Sequence, residues 1–357
     1  MKNGVIDEIG EIIKSQDRLL AFGSKTKTAI EAPADVTALD MSTVNGILEY
    51  EPSEYTFTAF AGTRLDEIDQ MLAKNNQFLP FDPPLMKRGA TLGGTVAANL
   101  SGPGRYHFGG VRDFVLGVQF FDSEARLIRS GGKVVKNAAG FDISKLMVGS
   151  LGSLGALVEL SFKVFPRPKE YRTIISKLPT INDTMECLIR LTASSIEILC
   201  LEIEPTNNSY DLQIRLGGSP QLFNERIDRL MQYVDVIEVL DGETESSYWE
   251  NITEFRWLPE DSILVKVPLT PKLVPNLDGF LQQNKTIRRY SIGANVAWIT
   301  WSKSIEILDQ HLKDTNLAGL TILGSCDQIY LGAWDSEKFY QRIKTALDPN
   351  NKWVEVD

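Results

Sequence analysis

The chain has 357 residues, 43% of them hydrophobic and 24% charged, with a formal net charge of −10. That apolar fraction excludes a disordered chain, 27 Gly and 16 Pro without a period exclude collagen-like and low-complexity classes, and the acidic balance excludes a duplex nucleic-acid binder. No run reaches the roughly 18 apolar residues of a membrane span, and the first residues, MKNGVIDEIGEIIK, carry charges in place of an apolar leader; a cytoplasmic chain without direct membrane insertion is expected.

In chain order, Ile6, Ile9, Ile12 and Ile13 mark an amphipathic helix. A short apolar strand, Leu19–Phe22, breaks at Gly23. Asn45–Glu51 and Thr56–Ala61 read as strands, and Arg64–Lys74 has helical spacing through Leu65, Ile68, Met71 and Leu72. Phe114–Phe121 and Ala125–Arg129 flank Asp122-Ser123-Glu124 as a hairpin. Leu157–Phe165 is a strand closed by Pro166-Arg167-Pro168, which marks a domain boundary. Beyond it, Arg172–Leu178, Thr184–Leu191, Ser195–Glu204, Tyr210–Leu216, Leu222–Tyr233 and Val236–Leu240 spell β-α-β-β-α-β, the order of a ferredoxin-like split unit. A second set follows in Ile263–Leu269, Lys272–Gln282, Val296–Trp301, Ser304–Lys313 and Leu320–Leu323. The predicted domains are 1–168, an α+β cap domain over 169–334, and a C-terminal helix and tail over 335–357 that packs back on the first domain.

Charge and glycine are unevenly spread. Residues 1–168 carry 18 Lys+Arg against 19 Asp+Glu, whereas residues 169–357 carry 19 against 28, so the first half is the better host for an anionic ligand. Fourteen of the glycines fall within Gly89–Gly155, a density that means turns or backbone approaching a ligand. Cys187, Cys200 and Cys326 are far apart and form no CxxC, which excludes a chain-borne iron–sulfur cluster or four-cysteine zinc site. Only His107 and His311 are present, so histidine metal cages and a Ser-His-Asp set are not expected. His311 reads as the exposed end of a helix. Tyr248-Trp249 and Trp257 are candidate partner anchors, and Trp298 and Trp301 read as core residues of one apolar strand.

Three segments carry candidate chemistry. Gly23-Ser24-Lys25-Thr26-Lys27 follows a strand and fits either a plain turn or a phosphate cradle with added positive charge; it lacks the P-loop pattern. Gly89–Gly102 contains Thr91, Gly93-Gly94 and Ala97-Ala98, small residues that fit a flat or phosphorylated ligand or a tight helix entry packed on a sheet. Gly149-Ser-Leu-Gly-Ser-Leu-Gly155 leads straight into a strand and is not the Rossmann GxGxxG.

Taken in series, the early loop, PFDPP (Pro80–Pro84), ATLGGTVAANLSG (Ala90–Gly102), GGVRDFVLG (Gly109–Gly117), KNAAGFDISKLMVGSLGSLG (Lys136–Gly155) and VFPRP (Val164–Pro168) resemble the PCMH-type FAD-binding domain of the vanillyl-alcohol-oxidase family, and most nearly the FAD-binding subunits of bacterial glycolate oxidases. Asp348-Pro349-Asn350 echoes that family's terminal motif. The resemblance is strong over about residues 19–168. It implies a PCMH-type FAD-binding domain of two α+β subdomains followed by a ferredoxin-like cap. It places Phe22, Gly23, Ser24, Lys25 and Thr26 on the FAD pyrophosphate. Thr91, Leu92, Gly93, Gly94, Ala97, Ala98, Asn99 and Gly102 then lie against pyrophosphate and isoalloxazine, with Pro84 among the cofactor-facing residues. Gly155, Leu157 and Val158 hold the ring or adenosine side through backbone groups. Arg112-Asp113 sits near the flavin cleft or forms a buried ion pair.

With no histidine in the loop, the implied FAD is noncovalent. Hydroxy-acid oxidation needs a base, and in relatives cap histidines bind a metal and the substrate; here residues 169–357 hold only His311. The resemblance therefore implies an oxidoreductase subunit acting on CH–OH groups. It would work beside a homologous flavoprotein catalytic subunit and an iron–sulfur subunit, in a hetero-oligomer peripheral to the inner membrane through its partners. The FAD would serve electron relay or assembly. A non-catalytic scaffold and a free-standing FAD-dependent dehydrogenase using Arg105, Tyr106 or His107 are the alternatives.

Overall fold

A computed structural model describes residues 2–132, 142–334 and 337–356. Lys136–Phe141 of the motif series lie outside the described residues. The chain forms two compact units: residues 1–101, 110–166 and 334–357 make the first, and residues 102–109 and 167–333 the second.

The first unit opens with the helix Lys2–Ser15, whose Ile9 and Ile13 are buried among Leu19, Leu39 and Phe60. Leu19–Phe22 pairs in parallel with Thr37–Asp40, in the register Leu19↔Thr37. The other subdomain is an antiparallel five-stranded sheet in the order Ile47–Glu51, Thr56–Phe60, Ala156–Lys163, Val115–Phe121, Leu127–Gly131. Its predicted hairpin pairs Phe121 with Leu127 and Gly117 with Gly131. Alternating apolar residues fill one face, and Phe57, Phe81 and Phe162 stack or tilt against each other in its interior. Leu65–Ala73 and the short Leu92–Ala97 are the helices nearest the glycine-rich segments.

The C-terminal segment completes this unit. Trp353 is 0% exposed and bridges Leu19 in parallel, with Leu19 N–H donating to Lys352 O at 2.8 Å and Val354 N–H to Leu19 O at 2.9 Å. From the helix Glu337–Leu347, Lys344 Nζ donates to Ser153 O at 2.7 Å, to Asp348 Oδ2 at 2.6 Å and to Trp353 O. Asp348 in turn accepts the N–H groups of Lys352 and Trp353 at 2.9 and 2.8 Å. The Asp348-Pro349-Asn350 motif is thus a knot that ties the tail to the Gly149–Gly155 loop.

In the second unit the predicted β-α-β-β-α-β set and the second set, completed by the unpredicted strand Arg288–Ser291, merge into one nine-stranded antiparallel sheet. Glu238–Leu240, Glu170–Leu178, Tyr210–Gly218 and Cys200–Pro205 lie in the 4-1-3-2 order of a ferredoxin-like unit. Arg288–Ser291, Val296–Trp301, Ile263–Pro268 and Ala318–Leu323 repeat it in mirror order, 2-3-1-4, and Tyr330–Gly332 adds an edge. The halves join where Ile203 meets Tyr290. One face packs on the helices Ile181–Thr192, Phe223–Leu230, Val274–Gln283 and Ile305–Asp314.

The other face is unusually polar for a buried surface. Glu202 accepts from Ser291 Oγ and Ile292 N–H at 2.6 and 2.9 Å, and Arg289 reaches Gln213 Oε1 at 2.8 Å and Glu204 at 2.6 Å. Arg215 forms a two-pronged pair with Glu245, on the helix Gly242–Thr253. Burial pushes Lys266, beside Arg105, down to about 8. Trp298 and Trp301 are buried in this sheet as their pattern predicts. Trp249 is also buried, its Nε1 donating to Thr173 Oγ1 at 2.7 Å, so it packs inside the unit and does not stand as an exposed anchor. His311 is half-buried, not exposed: it stacks on Phe280 with ring centroids 3.7 Å apart, and burial holds its pKa below the usual histidine range.

Candidate functional site

The site begins where the buried strand Leu19–Phe22 stops. A Cβ on Gly23 would lie 2.1 Å from Thr91 Oγ1, so the strand passes Thr91 only because the side chain is missing. Thr91 is fixed by its own role. It caps the helix Leu92–Ala97, its Oγ1 accepting from Gly94 N–H at 3.2 Å. Gly93 is held against the neighbouring strand by a 2.7 Å bond from its N–H to Ala61 O, and a Cβ there would stand 2.7 Å from Ala61 Cβ. The third segment docks on the same helix: Gly149 N–H donates to Val96 O and Leu151 N–H to Ala97 O, at 3.0 and 2.9 Å.

These elements line two adjoining half-open cavities that share Ala21, Phe22, Gly23, Thr91, Gly94 and Ala97 as walls. The first continues along Ser24, Lys25, Thr26, Lys27 and Ala98. The second continues along Gly93, Ser150, Gly152, Gly155 and Leu157. Walls of glycine, alanine and hydroxyl residues leave main chain available to a ligand while excluding little volume.

The first cavity is also cationic. Lys27 is only 8% exposed; its Nζ lies 3.3 Å from Thr26 Oγ1, and no carboxylate pairs with it among the described residues. Burial pushes its pKa down to about 8. Lys25, with a left-handed φ of 54°, instead turns outward and sets its ammonium 5.1 Å from the Phe22 ring centroid. Ser24 Oγ ties the loop to Gly89 O at 2.5 Å.

Of the residues singled out in the sequence, the structure gathers Phe22, Gly23, Ser24, Lys25, Thr26, Thr91, Gly93, Gly94, Ala97, Ala98, Gly155 and Leu157 around these cavities. Six others line neither. Pro84 and Leu92 are buried, with Leu92 N–H bonded to Thr63 O. Asn99 occupies a left-handed turn, φ 47°, after the helix. Val158 points into the core, its carbonyl accepting from Ala61 N–H. Gly102 belongs with the second unit, because Tyr106 in the same segment packs on Gly293 there. Arg112 and Asp113 are both exposed and form no buried pair: Asp113 accepts from Gly110 N–H at 2.8 Å, while the Arg112 carbonyl is taken by Lys145 Nζ. Ala21, Ile30, Met41 and Ala61 are walls outside the candidate segments, while Lys27 and Leu151 lie in those segments without having been assigned to the cofactor.

Residues 4–131 match the model of a family described as an FAD binding domain. Over 165 residues the chain is 42% identical to glycolate oxidase subunit GlcE of Escherichia coli, spanning 46% of this chain and 47% of that protein. It is 31% identical to glycolate oxidase subunit GlcD of Bacillus subtilis over 165 residues, 46% of this chain and 35% of that one. The matched region is thus less than half the length of either relative. A solved structure of alkyldihydroxyacetonephosphate synthase superposes with a TM-score of 0.72 at 14% identity, covering 97% of this chain and 75% of that one, which is a likeness of fold. The cavities' small-residue walls and single buried ammonium fit a dinucleotide with a flat ring and a diphosphate, and most of these walls come from the segment 4–131 that matches the FAD-binding domain model.

Proposed function

We propose that this chain is the FAD-binding subunit of a multi-subunit glycolate, or related 2-hydroxy-acid, dehydrogenase, holding a noncovalent FAD for electron relay. The observation that carries the reading is the cavity pair, walled by bare main chain and provided with a buried ammonium, inside an FAD-binding domain. Phe22–Lys27 and Gly94 would take the diphosphate end, and Gly93, Gly152, Gly155 and Leu157 the ring end. FAD accepts a hydride's two electrons and can pass them on singly. The residues lining the two cavities include no histidine, cysteine or tyrosine, in keeping with noncovalent attachment.

Substrate oxidation belongs, on this reading, to a homologous flavoprotein partner, with an iron–sulfur subunit accepting the electrons. The second unit offers little for proton abstraction. His311 is stacked on Phe280, His107 faces Glu197 at 3.6 Å, and no metal-binding cluster of His, Cys, Asp and Glu occurs among the described residues. No helix among those residues is long and apolar enough to cross a membrane, so attachment there would run through a partner.

The test is purification of the chain alone and with its co-expressed partners, followed by flavin extraction and glycolate-dependent dye reduction. The lone chain should be yellow, release FAD on acid treatment and reduce no dye until the partners are added. A colourless chain would favour a pure scaffold; dye reduction by the lone chain would make it an independent dehydrogenase.

A further inference from the structure

Among the described residues the ammonium of Lys27 meets no counter-charge. It sits 8% exposed in the wall of the first cavity, with a 3.3 Å contact to Thr26 Oγ1 and no carboxylate partner among the described residues. A buried cation without an anion is costly, and proteins keep one where a ligand supplies the missing charge. Position agrees: a Cβ on Gly94 would come within 3.5 Å of Lys27 Nζ, so Gly94, with no side chain, leaves the approach open. Lys25, on the same loop, is the other ionisable group among the lining residues of both cavities; the strand end at Ala21–Phe22, the helix Leu92–Ala97 and residues 150–157 contribute none.

Resting on the reading of this cleft as a flavin site, we infer that Lys27 is the charge anchor of the cofactor's diphosphate and that flavin binding through it takes up a proton. In the empty cleft, burial favours the neutral amine; two phosphate charges beside it favour the ammonium. Below about pH 8 the empty site is already protonated and affinity is flat. Above that, each bound diphosphate must bring its proton from solvent, so affinity falls about tenfold per pH unit until the bound-state pKa is passed.

The experiment titrates purified apoprotein with FAD, followed by flavin fluorescence, and separately with inorganic pyrophosphate by calorimetry, between pH 7 and 9.5. Wild type, Lys27→Met and Lys27→Gln are compared, and the calorimetry is repeated in buffers of different ionisation enthalpy to count protons. Wild-type affinity should drop about 30-fold across the range with proton uptake rising. Both variants should bind about 10- to 100-fold more weakly at pH 7, with no slope. The apoprotein of Lys27→Met should melt a few degrees higher than wild type, where a lysine kept for structure would melt lower. FAD binding of equal strength and slope in all three proteins overturns the anchor and leaves the flavin site standing. Pyrophosphate binding that depends on Lys27, without FAD binding, upholds the anchor and removes the flavin reading. Binding of neither ligand overturns both.

Discussion

Two lysines of the amino-terminal unit are buried to nearly the same degree, Lys27 at 8% and Lys344 at 3% exposure, yet they sit in opposite surroundings. Lys344 has three acceptors from its own chain, the Asp348 carboxylate and the carbonyls of Ser153 and Trp353. Lys27 has one long contact to a hydroxyl. The first cation is closed off by the fold and holds the tail against the glycine loop. The second stands in a cavity wall, and no carboxylate among the described residues completes it. Burial alone therefore does not separate a structural cation from a binding one; the count of its partners does.

Breaking the closed site should have the largest effect. Lys344→Met leaves Asp348 buried without its counter-charge, and Asp348→Asn does the reverse to Lys344; each is expected to cost about 3–5 kcal/mol in urea unfolding of the apoprotein. A loss below about 1 kcal/mol in both would mean that Lys344 is not held as its geometry implies.

Opening the same comparison at Lys27 should reverse the sign. The depressed pKa means that the unfolded chain binds the extra proton between about pH 8 and 10.5. Stability of the apoprotein therefore rises with pH through that window, and the full penalty is present below it. Lys27→Met should stabilise the apoprotein by about 2–3 kcal/mol at pH 7, an advantage that vanishes by about pH 10.5. Unfolding curves at pH 7 and 10.5 check this. Destabilisation at pH 7 would assign Lys27 to the same structural class as Lys344.

The sequence showed part of this division. Alternation revealed the strands of the five-stranded sheet, and the collinear glycine motifs located the cleft, because a side chain at Gly23 or Gly93 has nowhere to go. Thr37–Asp40 escaped notice: its burial alternates, but Leu39 is the one fully buried residue and the strand is too short and too polar for that alternation to show in the residue types. The helix Gly242–Thr253 escaped for a similar reason, with only Glu245, Trp249 and Ile252 buried. Arg112 was misplaced because neighbourhood in a motif series does not give a side chain's direction. Lys25 and Lys27 are equivalent in composition, and only the left-handed φ at Lys25 turns one outward and the other in. Partner counts for Lys344 depended on contacts about 190 residues away in sequence, which no local pattern carries.

A bulk test sharpens the cleft side of the comparison. Gly23→Ala brings a methyl group to within 2.1 Å of Thr91 Oγ1. Such overpacking costs about 1–3 kcal/mol, and because Thr91 caps the helix that forms the cavity wall, most of it should appear as about 10- to 100-fold weaker FAD binding. Thr91→Ala removes the clashing oxygen, so the double variant should recover affinity relative to Gly23→Ala alone. Additive losses would show that the two residues do not meet.

The smallest effect is expected where the tail and the cleft wall touch through a neutral group. Tyr340 donates its hydroxyl to Ser153 Oγ at 2.6 Å, and burial pushes its pKa up to about 12. Tyr340→Phe removes one hydrogen bond, yet Ser153 Oγ still donates to Ser150 O and is not left unpaired. The cost should therefore stay near 1 kcal/mol in unfolding, well under that of Lys344→Met, with FAD affinity within about twofold of wild type. Because Lys344 independently bonds Ser153 O, the loop keeps its position when the tyrosine is lost. A tenfold loss of flavin affinity in this variant would mean that the hydroxyl, and not the ammonium, sets the loop that walls the cleft, and that tail and cleft are coupled more tightly than the two lysines suggest.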